Sequence, residues 1–106
     1  MELKALPSEV QDVIGYALYQ AQLGQKASEA KPLHGFGGAG VLEVVADYQA
    51  DTYRAVYTVK FANIIYVLHV FQKKSKKGRS TPKPDIDLIK KRLRVAEQHF
   101  NSTVRK

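Results

Sequence analysis

Residues 66–82 read YVLHVFQKKSKKGRSTP and pass abruptly from an apolar pattern to a basic one. Residues 66–71 are apolar on both alternating faces except at His69, a pattern typical of a strand covered on both sides. Thr81 can cap a following helix, and Pro82 fits its first turn. The stretch therefore predicts a buried strand, a basic loop and a helix in succession.

The positive charge of the chain is confined to the region that begins in this stretch. Residues 73–94 hold ten Lys or Arg and two acidic residues, a net charge of +8, whereas the rest of the chain holds seven Lys or Arg and eight acidic residues, a net charge of −1. A cationic loop at the end of a buried strand is suited to holding a polyanion. This distribution favours a nucleic acid as partner, and a solvated basic surface is the simpler alternative.

Length and composition restrict the class of protein. A chain of 106 residues with 44% hydrophobic residues predicts one globular domain over residues 1–106. The absence of cysteine excludes disulfides, a thiolate zinc site and a catalytic thiol. No apolar run reaches the roughly 18 residues of a membrane span, and the N-terminus lacks a signal-peptide pattern. We therefore expect a soluble, cytoplasmic protein.

Two amphipathic helices are predicted at the ends of the chain. Residues 8–23 form the first, with Ser8 and Gln11 at capping-box spacing and Gly24 as its stop. Residues 84–100 form the second. The apolar stripes, which repeat at helical spacing, comprise Val10, Ile14, Ala17, Leu18 and Ala21 in the first helix and Ile86, Ile89, Leu93, Ala96 and Phe100 in the second.

Three strands are predicted between the helices, at residues 41–49, 52–60 and 63–71. The two-residue gaps between them predict hairpins, and hence an antiparallel meander. Alternation in the middle strand gives it an apolar face that can receive a helix and a semi-polar face with two cations, Arg54 and Lys60.

A glycine-rich connection precedes the first strand. Residues 35–40 read GFGGAG, which formally matches the dinucleotide-binding pattern G-x-G-x-x-G. That pattern must follow a strand and open a helix, so that the helix N-terminus meets the pyrophosphate, whereas these glycines precede a strand. We therefore interpret them as conformational glycines that allow a tight entry into the sheet.

The ordered set of motifs resembles the RelE/HigB-type toxins of bacterial type II toxin–antitoxin systems, in particular their phage-derived HigB-like branch. The resemblance covers about residues 3–98. The matching residues are Lys31-Pro32-Leu33-His34-Gly35, Gly40-Val41-Leu42-Glu43-Val44, Tyr53-Arg54-Ala55-Val56-Tyr57, Tyr66-Val67-Leu68-His69-Val70-Phe71-Gln72-Lys73-Lys74, Thr81-Pro82, Asp85-Ile86 and Lys91-Arg92-Leu93.

The resemblance implies an α+β, RelE-like fold in which both helices pack on the small antiparallel sheet. It also implies a metal-independent endoribonuclease, without cofactor, that cleaves translated mRNA on the ribosome and is neutralised by a helix-turn-helix antitoxin. A homodimer is compatible with this family, and a membrane partner is not expected. In-line attack of the ribose 2′-OH on phosphorus needs cations that stabilise the developing charge and groups that transfer protons.

Arg54, Lys73 and Lys74 are the predicted catalytic cations. Arg54 matches the strand arginine of the family, and its guanidinium can hold a phosphate bidentately. A salt bridge from Arg54 to Glu43 or Asp47 is the structural alternative. Lys73 and Lys74 lie where the third strand ends, and at least one of them is expected to contact a phosphate.

The other predicted site residues have weaker assignments. His69 is a candidate for proton transfer, and a core histidine satisfied by a backbone carbonyl is its alternative interpretation. Lys60 is expected to steer RNA from the face of Arg54, roughly 20 Å along the strand from it. Tyr53 can stack a base. The remaining predicted RNA-binding residues, which would act as long-range steering charges, are Lys76, Lys77 and Arg79.

Two departures from the family leave other functions open. Many relatives carry an arginine at the position of Val45, and the short first strand of the family is missing here or reduced to residues 1–2. The first alternative is a catalytically inactive module that binds RNA or the ribosome. The second is a phage-derived interaction protein that uses its helices for docking.

Overall fold

The computed structural model describes residues 3–26, 30–36, 40–61, 64–73 and 81–104. A 3-10 turn at Leu3–Ala5 precedes the regular elements. These are helix α1 (Ser8–Gln22), strands β1 (Ala30–Pro32), β2 (Val41–Tyr48), β3 (Asp51–Thr58) and β4 (Val67–Lys73), and helix α2 (Lys83–Val104). The strands form one antiparallel sheet in the order β1-β2-β3-β4, which confirms the predicted α+β arrangement with a helix at each end of the chain.

The sheet contains one strand more than the predicted three-strand meander. Strand β1 pairs Ala30–Pro32 with Leu42–Val44 of β2. Its three residues are too few to show a period-two pattern, and they end in a proline, which is normally confined to sheet edges. Only pairing with β2 reveals this strand, because nothing in its own sequence favours it.

The third predicted strand begins later than expected, at Val67. The Tyr66 backbone N–H donates to the hydroxyl of Thr58 at 3.3 Å, and the Thr58 N–H donates to the Tyr66 carbonyl at 2.9 Å. The register shifts between Val56 and Tyr57, next to these bonds. The Thr58 hydroxyl thus takes the place of a backbone acceptor for the Tyr66 N–H, at a position where the sequence predicts continuous strand.

The two helices cover opposite faces of the sheet. Val10, Ile14 and Ala17 of α1 are at most 1% exposed and pack against alternate strand residues such as Val44 and Ala55. On the other face, Ile89 and Ala96 of α2 pack against Val41, Val56, Leu68 and Phe71. Both predicted apolar stripes are therefore confirmed, and α2 lies on the face that the sequence marked as semi-polar. Burial of each large aliphatic side chain stabilises the fold by roughly 1.5–3 kcal/mol.

The ends of α1 follow the prediction at only one terminus. At the C-terminus, Gly24 has a φ of 78°, and its N–H and that of Gln25 donate to the carbonyls of Ala21 and Gln20. This is the glycine-dependent stop that was predicted. At the N-terminus the predicted capping box is wrong, because Pro7 occupies the cap position and the Gln11 amide donates to the Leu6 carbonyl at 2.8 Å.

Gly40 shows why a glycine leads into β2. Its φ is 77°, and a Cβ there would lie 2.9 Å from Cβ of Lys60 and 3.1 Å from the Lys60 backbone nitrogen. The Val59 N–H donates to the Gly40 carbonyl at 2.8 Å, which fixes this close approach. The conformational role predicted for the glycines holds at this position, whereas residues 37–39 of the same motif lie outside the described residues.

Candidate functional site

A layer of charged and polar residues lies on the face of the sheet covered by α2. The strand pairings align Lys31, Glu43, Val56 and His69 in one row across all four strands. Arg54 occupies the next row, opposite Phe71. Directly paired residues point to the same face of an antiparallel sheet, so this register brings Arg54, Glu43 and His69 together beneath α2.

Arg54 and Glu43 form a buried ion pair. Nη1 of Arg54 donates to Oε2 of Glu43 at 3.2 Å, and the two side chains are 9% and 5% exposed. The other carboxylate oxygen of Glu43 lies 3.8 Å from Nζ of Lys31, whose side chain is 63% exposed. The salt bridge considered from the sequence is thus formed with Glu43. It fixes the guanidinium in the sheet, so a phosphate must compete with a carboxylate for it.

His69 connects the sheet to α2 through both of its ring nitrogens. Nε2 donates to Oδ1 of Asp85 at 2.8 Å, and Nδ1 accepts from Nη1 of Arg92 at 3.3 Å. The ring also stacks on Phe71, with 4.7 Å between the ring centroids. Both ring nitrogens are therefore satisfied. The polar partners are side chains of α2. The alternative interpretation of His69 as a core histidine had predicted a backbone carbonyl instead.

Lys73 is the last residue of β4, and its backbone pairs with Thr52. Two residues further along the same two strands, Arg54 pairs with Phe71. Diagonal neighbours on a sheet are roughly 7–8 Å apart, so the predicted positions 54 and 73 are close. The other predicted cations of this segment, namely Lys74, Lys76, Lys77 and Arg79, lie outside the described residues.

Lys60 and Tyr53 lie away from this layer. Lys60 follows the end of β3, and its Nζ donates to Oε2 of Glu97 on α2 at 2.9 Å. Tyr53 belongs to the core between the sheet and α1, and it is 8% exposed on the face opposite Arg54. A buried ring on the other side of the sheet does not support the predicted stacking on a base. The structure therefore assembles Arg54, Glu43, His69 and position 73, and leaves these two residues apart.

Three residues of the layer were not predicted to take part in it. Asp85 and Arg92 hold His69, and Lys31 contacts Glu43. Asp85 and Arg92 lie beside the apolar stripe of α2, seven residues or two helical turns apart, a spacing that places both on one side of the helix. That spacing is the signal that could have indicated a common partner on the sheet.

One further buried polar group lies outside the layer. Tyr57 is fully buried in the core beneath α1, and its hydroxyl has no hydrogen-bond partner among the described residues. Burial raises the pKa of Tyr57 above its ordinary value of 10.0. Its position on the face opposite Arg54 assigns it to the core.

Residues 1–94 match the family described as phage-derived protein Gp49-like (DUF891), and the chain therefore belongs to that family. The family is associated with RelE-like toxins of toxin–antitoxin systems. No curated protein and no solved structure is significantly similar to the chain. Within the described residues, neither helix has the length and hydrophobicity needed to traverse a bilayer.

Proposed function

We propose that this protein is the toxin of a type II toxin–antitoxin system, of the HigB-like branch, and acts as a metal-independent endoribonuclease on translated mRNA at the ribosome. Membership of the Gp49-like family supports the toxin part of this proposal. The observation that carries the chemistry is the register of β3 and β4, which brings Arg54 and position 73 one step apart. The basic segment of the chain begins at this point.

Cleavage would proceed by attack of the ribose 2′-oxygen on the adjacent phosphorus. The 2′-OH loses its proton, the new O–P bond forms, and the bond from phosphorus to the 5′-oxygen breaks as that oxygen takes up a proton. Arg54 and Lys73 are the residues proposed to stabilise the negative charge that develops on the phosphate oxygens. Cations fixed before the substrate arrives need little reorganisation. In this mechanism the bond from Arg54 to Glu43 is exchanged for a bond to a phosphate oxygen.

The partners in this proposal are mRNA, the ribosome and a helix-turn-helix antitoxin encoded beside the toxin. The net charge of +8 over residues 73–94 supports an RNA partner, because neutralisation of phosphates supplies much of nucleic-acid affinity. Such binding weakens as the salt concentration rises.

Induced expression in a bacterium, with and without the neighbouring gene, tests the function. We expect growth arrest and new mRNA 5′ ends within translated frames, both suppressed by the neighbour. Lys73→Ala/Lys74→Ala should relieve the arrest, whereas Lys4→Ala/Lys26→Ala removes equal charge from exposed positions outside the layer and should not. Arrest that persists in the Lys73/Lys74 variant would contradict this site assignment.

A second function, that of a catalytically inactive module that binds RNA or the ribosome, is favoured by the contacts of two predicted catalytic residues. His69 has both ring nitrogens engaged, and Arg54 is already paired with Glu43. Under this alternative, expression would leave mRNA intact while the purified protein still binds ribosomes. Intact mRNA from soluble, folded protein would therefore select the binding module over the nuclease.

A further inference from the structure

A cleft of about 640 Å³ opens beside the charged layer, between β1, the turn that follows it, and the beginning of α2. Its lining includes Lys31, His34, Glu43, Thr81, Ile86 and Lys90. A cleft of this volume falls within the range of small-ligand sites in proteins, which is roughly 300–1,000 Å³. Within the described part of the chain, none of the predicted site residues lines this cleft, and the family description gives it no role.

The accessible charge of the cleft is positive. Lys31, His34 and Lys90 are exposed, and two of them carry permanent positive charge. The carboxylate in the lining belongs to Glu43, which is 5% exposed and paired with Arg54 at 3.2 Å. Because Arg54 neutralises this carboxylate from within the sheet, an anion that enters the cleft interacts mainly with the two lysines.

Polar and apolar groups are both available to a ligand in the cleft. Leu33, Pro32 and Ile86 contribute apolar surface that can contact a ribose or a base. Thr81 contributes a hydroxyl whose oxygen is buried without a hydrogen-bond partner in the described part of the chain. A buried hydroxyl in this state costs free energy, and a ligand that bonds to it recovers that cost. Because this oxygen is itself buried, it bonds to a ligand only when the Thr81 side chain turns towards the cleft.

The position of the cleft connects it to the proposed function. Thr81 directly follows the basic residues 73–80 in the sequence, and Glu43 contacts both Lys31 in the cleft and Arg54 in the layer. An RNA strand that reaches Arg54 would therefore pass close to this cleft. A concave site with apolar and cationic walls accepts an unstacked nucleotide, whereas a stacked duplex base cannot enter it.

We propose that this cleft binds one nucleotide of single-stranded RNA next to the scissile position, with Lys31 and Lys90 contacting its phosphate and Thr81 bonding to the ligand. The inference rests on the proposed RNA function and names where the substrate lies. His34 is at the rim and adds a donor to the same phosphate. Each lysine then contributes one phosphate contact and one unit of the salt dependence of binding.

The test is the affinity of the purified protein for a fluorescein-labelled, 2′-O-methylated oligoribonucleotide, which cannot be cleaved, measured by fluorescence anisotropy at several salt concentrations. Lys31→Gln/Lys90→Gln should weaken binding by about tenfold or more and lower the salt slope by about two. Lys4→Gln/Lys26→Gln is the matched control, since it removes equal charge from exposed positions outside the cleft, and it should change binding less than about twofold.

Thr81→Val tests the cleft without changing its charge. Valine replaces the hydroxyl by a methyl group of similar size, so the fold should be retained and RNA binding should fall by about threefold to tenfold. Unchanged binding in both Lys31→Gln/Lys90→Gln and Thr81→Val would overturn the proposal. Equal weakening by the Lys4/Lys26 control would also overturn it, because the effect would then be one of net charge.

The outcome separates this inference from the proposed function. If Lys73→Ala/Lys74→Ala abolishes growth arrest while the cleft variants bind RNA normally, the nuclease stands and the cleft site fails. If the cleft variants lose binding while expression leaves mRNA intact, the cleft site stands and the nuclease fails. Loss of antitoxin binding with unchanged RNA affinity would assign the cleft to a protein partner and reject the RNA site.

Discussion

The Glu43 carboxylate accepts a hydrogen bond from Nη1 of Arg54 at 3.2 Å across neighbouring strands, and both side chains are more than nine-tenths buried. Each charge depends on the other for its stability in this position, because isolated buried charges are very unfavourable. The same carboxylate faces the exposed Lys31 with its second oxygen. Glu43 is therefore the residue that joins the buried cation to the accessible one.

Glu43→Ala should lower the free energy of unfolding by about 3–5 kcal/mol, because it leaves the buried Arg54 charge without this carboxylate. Glu43→Met/Arg54→Met removes both charges and should recover most of that loss. Urea unfolding of the purified variants measures both values. Asp47→Ala, an exposed change on the same strand, is the control and should cost less than about 1 kcal/mol. A Glu43→Ala loss no larger than that of the control would contradict the importance of the pair.

His69→Gln and Asp85→Asn should be coupled by about 1 kcal/mol, because the imidazole donates directly to the carboxylate. A double-mutant cycle in thermal or urea unfolding gives this coupling. His99→Gln provides a comparison, since His99 lies at an exposed position and its ring bonds to the Tyr66 hydroxyl, away from the layer. Additive effects of the His69 and Asp85 changes would show that the connection between sheet and helix contributes no stability.

Tyr57→Phe should leave stability unchanged or raise it by up to about 1 kcal/mol, because the buried hydroxyl has no partner among the described residues. The pKa of Tyr57 is raised by burial, so the folded state keeps the phenol protonated while the unfolded state ionises near pH 10.0. The protonated phenol of Tyr57 therefore causes no loss of stability below that pH, and the free energy of unfolding decreases as the pH rises above it. The free energy of unfolding, measured by denaturation at neutral and at alkaline pH, should therefore decrease less with pH for Tyr57→Phe than for the parent protein. An identical alkaline loss in both proteins would reject the assignment.

Gly40→Ala should destabilise the fold more than Gly24→Ala. The two glycines have nearly the same positive φ, 77° and 78°, so alanine has a similar backbone strain of about 1 kcal/mol at each position. Only at Gly40 would the new Cβ meet another residue, at 2.9 Å from Cβ of Lys60, while Gly24 has open space. We expect an additional loss of about 1–3 kcal/mol at Gly40, measured as the difference between the two variants. Equal losses would mean that the backbone near Lys60 moves aside.

Period and spacing were sufficient to predict both helices and the three long strands. The stripes from Val10 to Ala21 and from Ile86 to Phe100 each span several turns, so their helical period is unambiguous. Strand β1 and the register shift at Val56 and Tyr57 could not be predicted, because each depends on a partner distant in sequence. Short elements of this kind are specified by pairing and not by local propensity.

The candidate site was predictable only in part for a similar reason. Arg54 and its alternative partner Glu43 follow from strand alternation, which places both on the same face. The engagement of His69 by Asp85 and Arg92 depends on how α2 lies across the sheet, and local patterns carry no information on that placement. Tyr53 was assigned to RNA from its residue type, whereas strand alternation already placed it opposite Arg54.

The order of synthesis gives the location of α2 a further consequence. The ribosome makes the chain from its N-terminus, so the strands that contain Glu43 and Arg54 are synthesised before Asp85, Lys90 and Arg92. An interrupted translation product that ends before residue 85 would contain Glu43, Arg54 and His69, but neither of the helix side chains that hold the imidazole. Only chains that extend through Arg92 can therefore possess the whole layer.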